Sequence, residues 1–313
     1  MVQWDLGHAV ARSANVLSAT RILVLGGDGM LGRMVRLYLA ADPDLVVQWT
    51  SRRSEAGALR FDAKHSETLS EITQERGRYD YFINCIAILK TEVDEKKPGA
   101  AAEVIRVNAL FPHALAAAAQ RDGSKVLHVS TDAVFAPESG VCLATDRPAP
   151  ADFYGRSKLL GEVFAPNALS IRCSIIGPNP AVRKGLFEWV LAQPRNAKIP
   201  GYEDQLWKGV TTLQFAELCR DLFRNGNFDQ ARSEGPVHHF SPNAAVTKFQ
   251  LVEMIRARFR PDLTVEPALG GAINRVLESR GCLRRLAGAD RPMGVAIAEL
   301  STYIDGPKAI SGS

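Results

Sequence analysis

The sequence predicts an α/β fold in which helices cover both faces of a doubly wound parallel sheet. The first observation is a rhythm of short apolar runs that alternate with helix-like stretches between residues 21 and 177. The second is a glycine-rich turn between the first apolar run and the first helix-like stretch. The third is the length, because 313 residues are enough for one large core or two modest ones.

The predicted strands are short apolar runs, which suit strands buried inside a parallel sheet. They are residues 21–25, 45–49, 81–85, 125–129 and 169–172. Residues 237–240 are a further candidate, which would return the chain to the same sheet late in the sequence. The first two strands and the helix between them have the size of a βαβ crossover, so we expect neighbouring strands to run parallel.

The predicted helices follow from composition and from start and stop signals. Three of them are expected at residues 34–39, 100–120 and 154–163. Pro112 is expected to kink or divide the second of these. Thr211 and Thr247 each stand three residues before a glutamine, which is the spacing of a capping box. They predict two later helices, one through Phe223 and one that ends before Pro261.

Composition and charge argue against several classes of protein. The net charge of +4 is small and the charges are interspersed, which is not typical of a nucleic-acid binder. No apolar run approaches the ~18 residues of a membrane span. The first residues carry Asp5 and lack the basic start and apolar core of a secretory signal. We therefore expect no nucleic-acid partner and no membrane partner.

The cysteines and histidines predict neither disulfides nor a metal site. The chain has an odd number of cysteines and no C-x-x-C pair, which favours a reduced, cytoplasmic setting. They are Cys85, Cys142, Cys173, Cys219 and Cys282. His238 and His239 form a histidine pair, but adjacent residues of a strand point to opposite faces. We expect no metal there.

The glycine turn reads G-x-x-G-x-x-G, with glycines at positions 26, 29 and 32. An ordinary strand-to-helix turn would account for the glycines alone. A position after a strand and before a helix favours a binding role, because such a turn lets backbone N–H groups and the helix N-terminus approach a pyrophosphate. We therefore predict a nicotinamide dinucleotide at this turn.

The residues after the second strand indicate which nicotinamide cofactor is bound. An NAD-binding site would place a carboxylate there for the ribose 2′-hydroxyl. This chain has Thr50, Ser51, Arg52 and Arg53, and two guanidinium groups suit a 2′-phosphate with no carboxylate to repel it. We predict NADPH over NADH, the alternative being that both arginines are simply solvated. Asp62, with Ala63 beside it, would either contact the adenine or cap a helix.

A second group of polar residues follows the strand at residues 125–129. Ser130, Thr131 and Asp132 stand at its carboxyl end, where doubly wound folds bind ligands. Tyr154 and Lys158 are four residues apart, so a helix places both side chains on one face. An ammonium beside a phenol would lower the phenol's pKa, as suits a proton donor. Each piece alone would equally be a turn, a cap or a surface pair, but their order after the glycine turn favours a carbonyl reductase.

In these motifs the chain resembles the extended short-chain dehydrogenases/reductases and, among them, the dTDP-4-dehydrorhamnose reductases. The resemblance runs from about Arg21 to about Leu286. The matching pieces are residues 26–32, 107–109, 129–135, 154–162, 172–174 and 209–212. The chain departs from that pattern at Ala133, at Ala136-Pro137 and at Ile175, where those enzymes usually have Tyr, Asp-Gly and an aromatic residue.

The resemblance implies a Rossmann-type domain and a set of catalytic and cofactor-binding residues. Tyr154 would protonate the forming alkoxide, Lys158 would lower the pKa of Tyr154 and hold the nicotinamide ribose, and Thr131 would polarise the carbonyl group. The expected cofactor-binding residues are Gly26, Asp28, Gly29, Met30, Leu31, Gly32, Ser51, Arg52, Arg53, Asp62, Ala63, Cys85, Ile86, Ala87, Asn108, Ser130, Tyr154 and Lys158.

The substrate implied by the resemblance is a nucleotide-linked 4-keto-6-deoxy sugar. Thr131 and Asp132 would contact the sugar, and Ile175 takes the place of the usual aromatic contact. The diphosphate needs cations, and Trp207 is a candidate to stack on the base. The candidate cations are Arg183, Lys184, Lys208 and Arg275.

The resemblance also implies a domain plan. Residues 1–20 would form an N-terminal arm, and residues 21–177 the dinucleotide-binding domain, completed by parts of residues 205–241. Residues 178–313 would form a smaller substrate-binding part. A homodimer is expected from the superfamily.

Two other functions stay open at this stage. The chain would be a non-catalytic, NADP(H)-binding regulatory subunit if the same scaffold bound the cofactor without turnover. It would be a sugar-nucleotide epimerase or epimerase–reductase if a second acid/base pair flanked the sugar, a role that would need Cys142 or a histidine.

Overall fold

The structure, a computed structural model, describes residues 19–75, 79–93, 96–288 and 290–306. Most of the predicted arm, residues 1–18, lies outside this range. The strands of the described residues are β1 (Thr20–Leu25), β2 (Leu45–Ser51), β3 (Leu59–Arg60), β4 (Tyr81–Asn84), β5 (Lys125–Thr131), β6 (Gly140–Cys142), β7 (Ala168–Cys173), β8 (Ile175–Ile176), β9 (Lys198–Tyr202), β10 (Leu206–Trp207), β11 (Val210–Thr211), β12 (Val237–His239), β13 (Val246–Thr247), β14 (Thr264–Ala268) and β15 (Arg275–Leu277).

The helices alternate with these strands. Those of the described residues are α1 (Met30–Ala40), α2 (Leu69–Glu75), α3 (Ala100–Val104), α4 (Phe111–Arg121), α5 (Phe153–Leu160), α6 (Leu186–Leu191), α7 (Thr212–Leu222), α8 (Asn227–Glu234), α9 (Lys248–Phe259), α10 (Gly281–Ala287) and α11 (Met293–Asp305). Shorter 3-10 turns lie at Ala63–Thr68, Lys90–Glu92 and Asp132–Val134, and a π-helical segment at Ile105–Leu110. No helix in the described ranges is long and apolar enough to span a bilayer.

The main sheet has seven parallel strands in the order β12-β7-β5-β4-β1-β2-β3. The chain moves outward from β1 in one direction through β2 and β3, and then in the other direction from β4. The strand order therefore reverses between β1 and β4, and ligands bind at such a point in doubly wound folds. The predicted α/β fold is confirmed.

The sheet carries a hydrophobic layer on each face. Ile22 and Val24 of β1 belong to one cluster, which includes residues of α1, α7, α9 and α11. Leu23 and Leu25 point the other way, into a cluster with residues of α4 and the 3-10 turn at Ala63–Thr68. Because side chains alternate along a strand, a continuous apolar run supplies both layers.

The start signals predicted from the sequence are confirmed at two helices. Thr211 accepts a hydrogen bond from Gln214 N at 3.2 Å and its own N–H donates to Gln214 Oε1 at 3.1 Å, so both halves of the capping box form. Thr247 and Gln250 form the same pair at the start of α9. Such boxes satisfy N–H groups that a helix end leaves unpaired.

The predicted helix at residues 100–120 is divided, as expected from Pro112. The wide π-helical turn at Ile105–Leu110 lies between α3 and α4, and Pro112 occupies the first turn of α4. Proline has no N–H to donate, so it fits the start of a helix better than its middle. The predicted helix at residues 154–163 ends earlier, at Leu160.

The later part of the chain forms small two-stranded sheets beside the main one. β9 pairs with β14, and β6 pairs with β15. The second pairing joins a strand close after β5 to one more than 130 residues later. β12 returns to the main sheet beside β7, as predicted for residues 237–240.

The glycine turn needs glycine at two positions, one for its backbone conformation and one for a close contact. Gly26 has φ +76°, a left-handed conformation that side chains disfavour. A Cβ atom on Gly32 would lie 2.1 Å from the carbonyl oxygen of Gly26. The first turn of α1 therefore packs directly on the backbone of the turn that precedes it.

We predict that Gly32→Ala lowers the free energy of unfolding by about 1–3 kcal/mol, the usual cost of overpacking a close contact. Gly29→Ala is the matched control, since a Cβ there would lie 3.4 Å from its nearest neighbour. Thermal or denaturant unfolding of both variants measures the difference. Equal stability of the two variants would contradict the close approach.

Candidate functional site

The glycine turn lies at the carboxyl end of β1, where the strand order reverses. Gly27 N donates to Thr50 O at 2.9 Å, and Gly26 N donates to Thr50 Oγ1 at 3.0 Å. These bonds tie the turn to the end of β2. The helix α1 starts at Met30 behind Gly29, which has no side chain to cap it. The N–H groups and positive dipole end of α1 can therefore receive an anion.

The corner between this turn and β2 contains both positively and negatively charged side chains. Arg52 and Arg53 are exposed, and Arg53 N donates to Ser51 Oγ at 3.0 Å. A carboxylate also stands here, contrary to our prediction, because Ser51 Oγ donates to Asp28 Oδ2 at 3.0 Å. Asp28 reaches β2 from the glycine turn, so the local sequence around the arginines did not reveal it.

Arg36 is a further cation of this corner that sequence reasoning missed. Its guanidinium carbon lies 3.8 Å from the centre of the Trp49 ring, and its Nε donates to Gly27 O at 2.8 Å. Burial lowers the pKa of Arg36, with Arg33 adding to the effect. Arg36 binds the turn from the second turn of α1, a contact that depends on the fold.

The loop after β4 packs on the glycine turn. A Cβ atom on Gly26 would lie 2.9 Å from the side chain of Ile86. Asn108 holds the next part of this loop, since its amide accepts from Ile88 N at 2.8 Å and donates to Ile88 O at 2.9 Å. Cys85 is half-buried, and burial raises its pKa to about 12. Ala87 lies in the same loop.

Asp62 adopts the capping role that was one of its two predicted roles. Its Oδ1 accepts a hydrogen bond from Lys64 N at 3.0 Å, at the start of the 3-10 turn Ala63–Thr68. Ala63 is 3% exposed.

The residues predicted to be catalytic meet at the carboxyl end of β5. Asp152 caps α5 by accepting from Gly155 N at 2.7 Å, and this sets Tyr154 in the first turn of that helix. The Thr131 side chain acts on the pKa of Tyr154, so the two hydroxyl groups lie near each other. Lys158, 2% exposed, donates from Nζ to Val129 O at 2.8 Å. Two hydroxyl groups and an amine thus converge from β5 and α5.

The electrostatics of these groups differ from the prediction. Burial raises the pKa of Tyr154, Asp132 raises it further, and the Thr131 side chain lowers it only in part. The expected lowering of the Tyr154 pKa by Lys158 is therefore wrong for this structure. Burial lowers the pKa of Lys158 to about 8. Tyr154 remains a protonated phenol at neutral pH and can donate a proton.

A buried polar network supports this end of β5. Glu162 and Arg172, both nearly fully buried, form two parallel hydrogen bonds of 2.7 Å. Ser130, predicted to contact the cofactor, donates from Oγ to Glu162 Oε1 at 2.8 Å. His239 lies 3.4 Å from Arg172 and beside Cys142 O, and burial lowers its pKa to about 3. Its Nδ1 therefore donates to that carbonyl.

Thr131 also caps the 3-10 turn at Asp132–Val134, accepting from Ala133 N at 3.2 Å. The cap that was the alternative role for this residue is therefore present. Asp132, its neighbour, is paired with Arg275, whose Nη2 lies 3.0 Å from Asp132 Oδ2. Arg275, predicted as a cation for the diphosphate, reaches Asp132 from β15 and has this carboxylate as its partner.

Two of the other predicted substrate residues, Trp207 and Ile175, both adjoin Ser174. Trp207 donates from Nε1 to Ser174 Oγ at 2.8 Å and lies on β10 beside β13. Ile175 is half-buried and pairs with Val210. The remaining predicted cations lie at the surface (Arg183 and Lys184) or are half-buried (Lys208).

A cavity of about 240 Å³ lies in the later part of the chain, and sequence reasoning missed it. Trp189 and Tyr202 contribute aromatic walls, and Lys248 contributes an amine. Burial lowers the pKa of Lys248, while Asp132 opposes that effect. Lys248 begins α9, so its position in a capping box gave no signal of a site. The other residues that line this cavity are Leu186, Pro200 and Val252.

The described residues of this site do not form a cluster of side chains that could bind a metal ion. Across the described ranges, no three His, Cys, Asp or Glu side chains are placed to hold a metal ion. His238 and His239 contact different parts of the chain, since His238 Nε2 lies 2.9 Å from Ala231 O.

Comparison with known proteins places the chain in a family. It is 35% identical over 144 residues to a dTDP-4-dehydrorhamnose reductase of Burkholderia thailandensis, covering 46% of this chain and 44% of that protein. This match thus spans less than half of that relative's length. Over 238 residues it is 32% identical to the dTDP-4-dehydrorhamnose reductase of Mycobacterium tuberculosis, covering 72% of this chain and 74% of that one.

Two further similarities extend over most of the chain. The methionine adenosyltransferase 2 subunit beta of Danio rerio is 26% identical over 268 residues, which are 80% of each chain. A crystal structure of a dTDP-4-dehydrorhamnose reductase from Clostridium acetobutylicum has the same fold, with a TM-score of 0.72 at 20% identity, and covers 92% of this chain and all of that one.

The family assignment rests on a match to a family model that covers most of the chain. Residues 20–273 match the family described as the RmlD substrate binding domain. They include the glycine turn, the end of β5, the helix α5 and part of the later small sheets. The chain therefore belongs to the RmlD substrate-binding domain family, and the predicted kinship with the extended short-chain dehydrogenases/reductases is confirmed.

Proposed function

We propose that this protein is an NADPH-dependent reductase of a nucleotide-activated 4-keto-6-deoxy sugar. The observation that carries the proposal is the convergence of Thr131, Tyr154 and Lys158 at the same edge of the sheet as the glycine turn. Membership of the RmlD substrate-binding domain family and similarity to dTDP-4-dehydrorhamnose reductases support it.

The described residues fit a dinucleotide. The contact between Gly32 and Gly26 leaves backbone in place of side chains at the start of α1, so a pyrophosphate can approach the N–H groups there. Arg52 and Arg53 are exposed at the neighbouring corner and would bind a 2′-phosphate. Asp28 is held at the same corner by Ser51. Bound NADPH would supply the hydride.

The chain's own residues handle the proton and the carbonyl oxygen. Tyr154 would give its phenolic proton to the oxygen of the forming alkoxide, and its raised pKa keeps that proton in place until then. Thr131 would hydrogen-bond the same oxygen and hold the ketone in line. Lys158, anchored on Val129 O, would hold the nicotinamide ribose with its remaining N–H groups.

The later part of the chain would bind the nucleotide of the substrate. Trp189 and Tyr202 offer aromatic surfaces for a base, and Lys248 offers a charge for a phosphate. Electrostatic contributions to the pKa of Lys248 come from Asp132 and Arg275, which relate this cavity to the end of β5. Arg275 would contact the diphosphate from its pair with Asp132.

A non-catalytic subunit is the second candidate. The similarity to methionine adenosyltransferase 2 subunit beta over 80% of both chains favours it. An epimerase is less well supported, because Cys142 is 2% exposed and its thiol faces Gly140 O, so it offers no second acid to a sugar.

Turnover separates the candidates. The protein is mixed with NADPH and a panel of nucleotide-4-ketosugars, and loss of nicotinamide absorbance is followed. Consumption of NADPH with reduction of the ketone supports the reductase. Binding of NADPH without consumption on any member of the panel supports the subunit.

We predict that Tyr154→Phe lowers kcat by a factor on the order of 10²–10⁴, the usual contribution of a general acid. The Kd for NADPH should stay within about twofold, since the ribose contact belongs to Lys158. Tyr81→Phe is the control, because it removes a phenol from the amino end of β4. Unchanged turnover in Tyr154→Phe, or an equal loss in the control, would remove the proposed acid.

We predict that Arg52→Ala/Arg53→Ala raises the KM for NADPH about tenfold or more, since a charge-assisted hydrogen bond contributes about 1.5–3 kcal/mol. The KM for NADH should change little. Arg60→Ala, which removes an exposed arginine from β3, is the control. Steady-state kinetics with both cofactors measures the ratio. An unchanged KM for NADPH would argue that the two arginines are merely solvated, and equal increases for both cofactors would contradict binding of the 2′-phosphate.

A further inference from the structure

A fully buried histidine lies beneath the amine of Lys158. His128, in β5, is 0% exposed, and its Nε2 lies 3.4 Å from Lys158 Nζ. Its other ring nitrogen, Nδ1, lies 3.0 Å from Asn84 Nδ2 at the end of β4. Neither His128 nor Asn84 was expected to have a role from the sequence. Together they connect the loop after β4 to the lysine of α5.

The orientation of the Asn84 amide determines the tautomer of His128. Ile86 N donates to Asn84 Oδ1 at 3.1 Å, so the oxygen of this amide is identified by a backbone donor. The atom that faces His128 is then the NH₂ group, which can only donate. Nδ1 of His128 must accept, and the neutral ring must carry its proton on Nε2. Burial and Lys158 both lower the pKa of His128, so the ring is neutral.

This tautomer places an N–H group against the lysine. Lys158 Nζ already donates to Val129 O at 2.8 Å. An ammonium facing an N–H group lacks an acceptor on that side, whereas a neutral amine can accept from it. The contact therefore works against the proton on Lys158, in the same direction as burial.

Other titratable groups act on the same two side chains. Glu162 at the end of α5, Cys173 of β7 and Cys85 after β4 favour the charged form of Lys158. His113 of α4 acts on His128 and disfavours its charged form.

We propose that His128 is a positioning residue of the site: locked by Asn84 with its Nε2 proton towards Lys158, it orients that amine on Val129 and disfavours its protonated form. The role of Lys158 in reduction rests on the proposed function, whereas the arrangement of the three side chains does not. The loop after β4 contributes to this arrangement, because Ile86 N fixes the orientation of the Asn84 amide. A shift of that loop would change the protonation of Lys158.

The first test needs no variant and no substrate. Nitrogen-15 NMR of the histidine-labelled protein reads the tautomer of His128 directly. We expect an unprotonated Nδ1 and a protonated Nε2, unchanged across the pH range in which exposed histidines titrate. A protonated Nδ1, or a doubly protonated ring near pH 6, would overturn the proposal.

The second test reverses the tautomer with Asn84→Asp. The carboxylate keeps an acceptor for Ile86 N but presents its other oxygen to His128, whose Nδ1 must then carry the proton. Nε2 becomes an acceptor for the ammonium. The titration midpoint of Lys158 should rise from about 8 by about one pH unit or more. NMR of labelled lysine follows the midpoint.

His113→Gln is the matched control, since it removes a histidine that acts on His128 without touching Lys158 and should leave the Lys158 midpoint unchanged. If the Lys158 midpoint rises in Asn84→Asp but the His128 tautomer does not change, the rise comes from the added charge and the proposal is overturned. An unchanged Lys158 midpoint would also overturn it. If Asn84→Asp fails to fold, the tautomer in the unaltered protein still decides.

Activity distinguishes this proposal from the proposed function. If the protein is a reductase, kcat/KM for NADPH should fall above about pH 8 as Lys158 loses its proton. In Asn84→Asp this alkaline limb of the pH profile should shift to higher pH. If no ketone is reduced but the His128 tautomer and the Lys158 midpoints are as expected, the proposed reductase function is rejected and the proposed role of His128 stands. Reduction with an unmoved limb would reject the arrangement alone.

Discussion

The burial of the Lys158 amine is the constraint on which the site depends. An amine without exposure to water must find hydrogen-bond partners in the protein, and Val129 O supplies one at 2.8 Å. That bond ties α5 to β5. Because Tyr154 lies one helical turn before Lys158, the same bond places the phenol over Thr131, the last residue of β5.

The surroundings of this bond are built to keep it in place. On one side, Glu162 and Arg172 form a buried pair with Ser130, and breaking such a pair by removing one partner typically costs about 3–5 kcal/mol. On the other side, His128 fills the space beneath the amine. The glycine turn is held by the close contact between α1 and Gly26 and by hydrogen bonds to Thr50 and Arg36.

Much of this arrangement was predictable from local sequence. Continuous apolar runs identified every strand of the main sheet except the two-residue β3, since a strand covered on both faces needs apolar residues at every position. Thr211 and Thr247 marked helix starts, because a capping box is complete within four residues. The closeness of the residues proposed to be catalytic was predictable because the parallel sheet brings the carboxyl ends of its strands to one edge.

The rest depends on contacts between distant parts of the chain. Asp28 meets Ser51 across the end of β2, so the sequence near the arginines did not reveal the carboxylate. Arg275 was expected at a diphosphate, but its pairing with Asp132 spans 143 positions. The sign of the Tyr154 shift was mispredicted because spacing on a helix gives proximity and says nothing about burial, which dominates that pKa.

The most direct test of the proposed reductase activity traces the hydride that is transferred from nicotinamide C4 to the sugar. NADPH deuterated at the transferring position of nicotinamide C4 is incubated with the protein and a nucleotide-linked 4-keto-6-deoxy sugar, and the product is analysed by mass spectrometry and NMR. The account predicts a single deuterium on sugar carbon 4, and none with Tyr154→Phe over the same time. Tight NADPH binding with no deuterium in any sugar would contradict it.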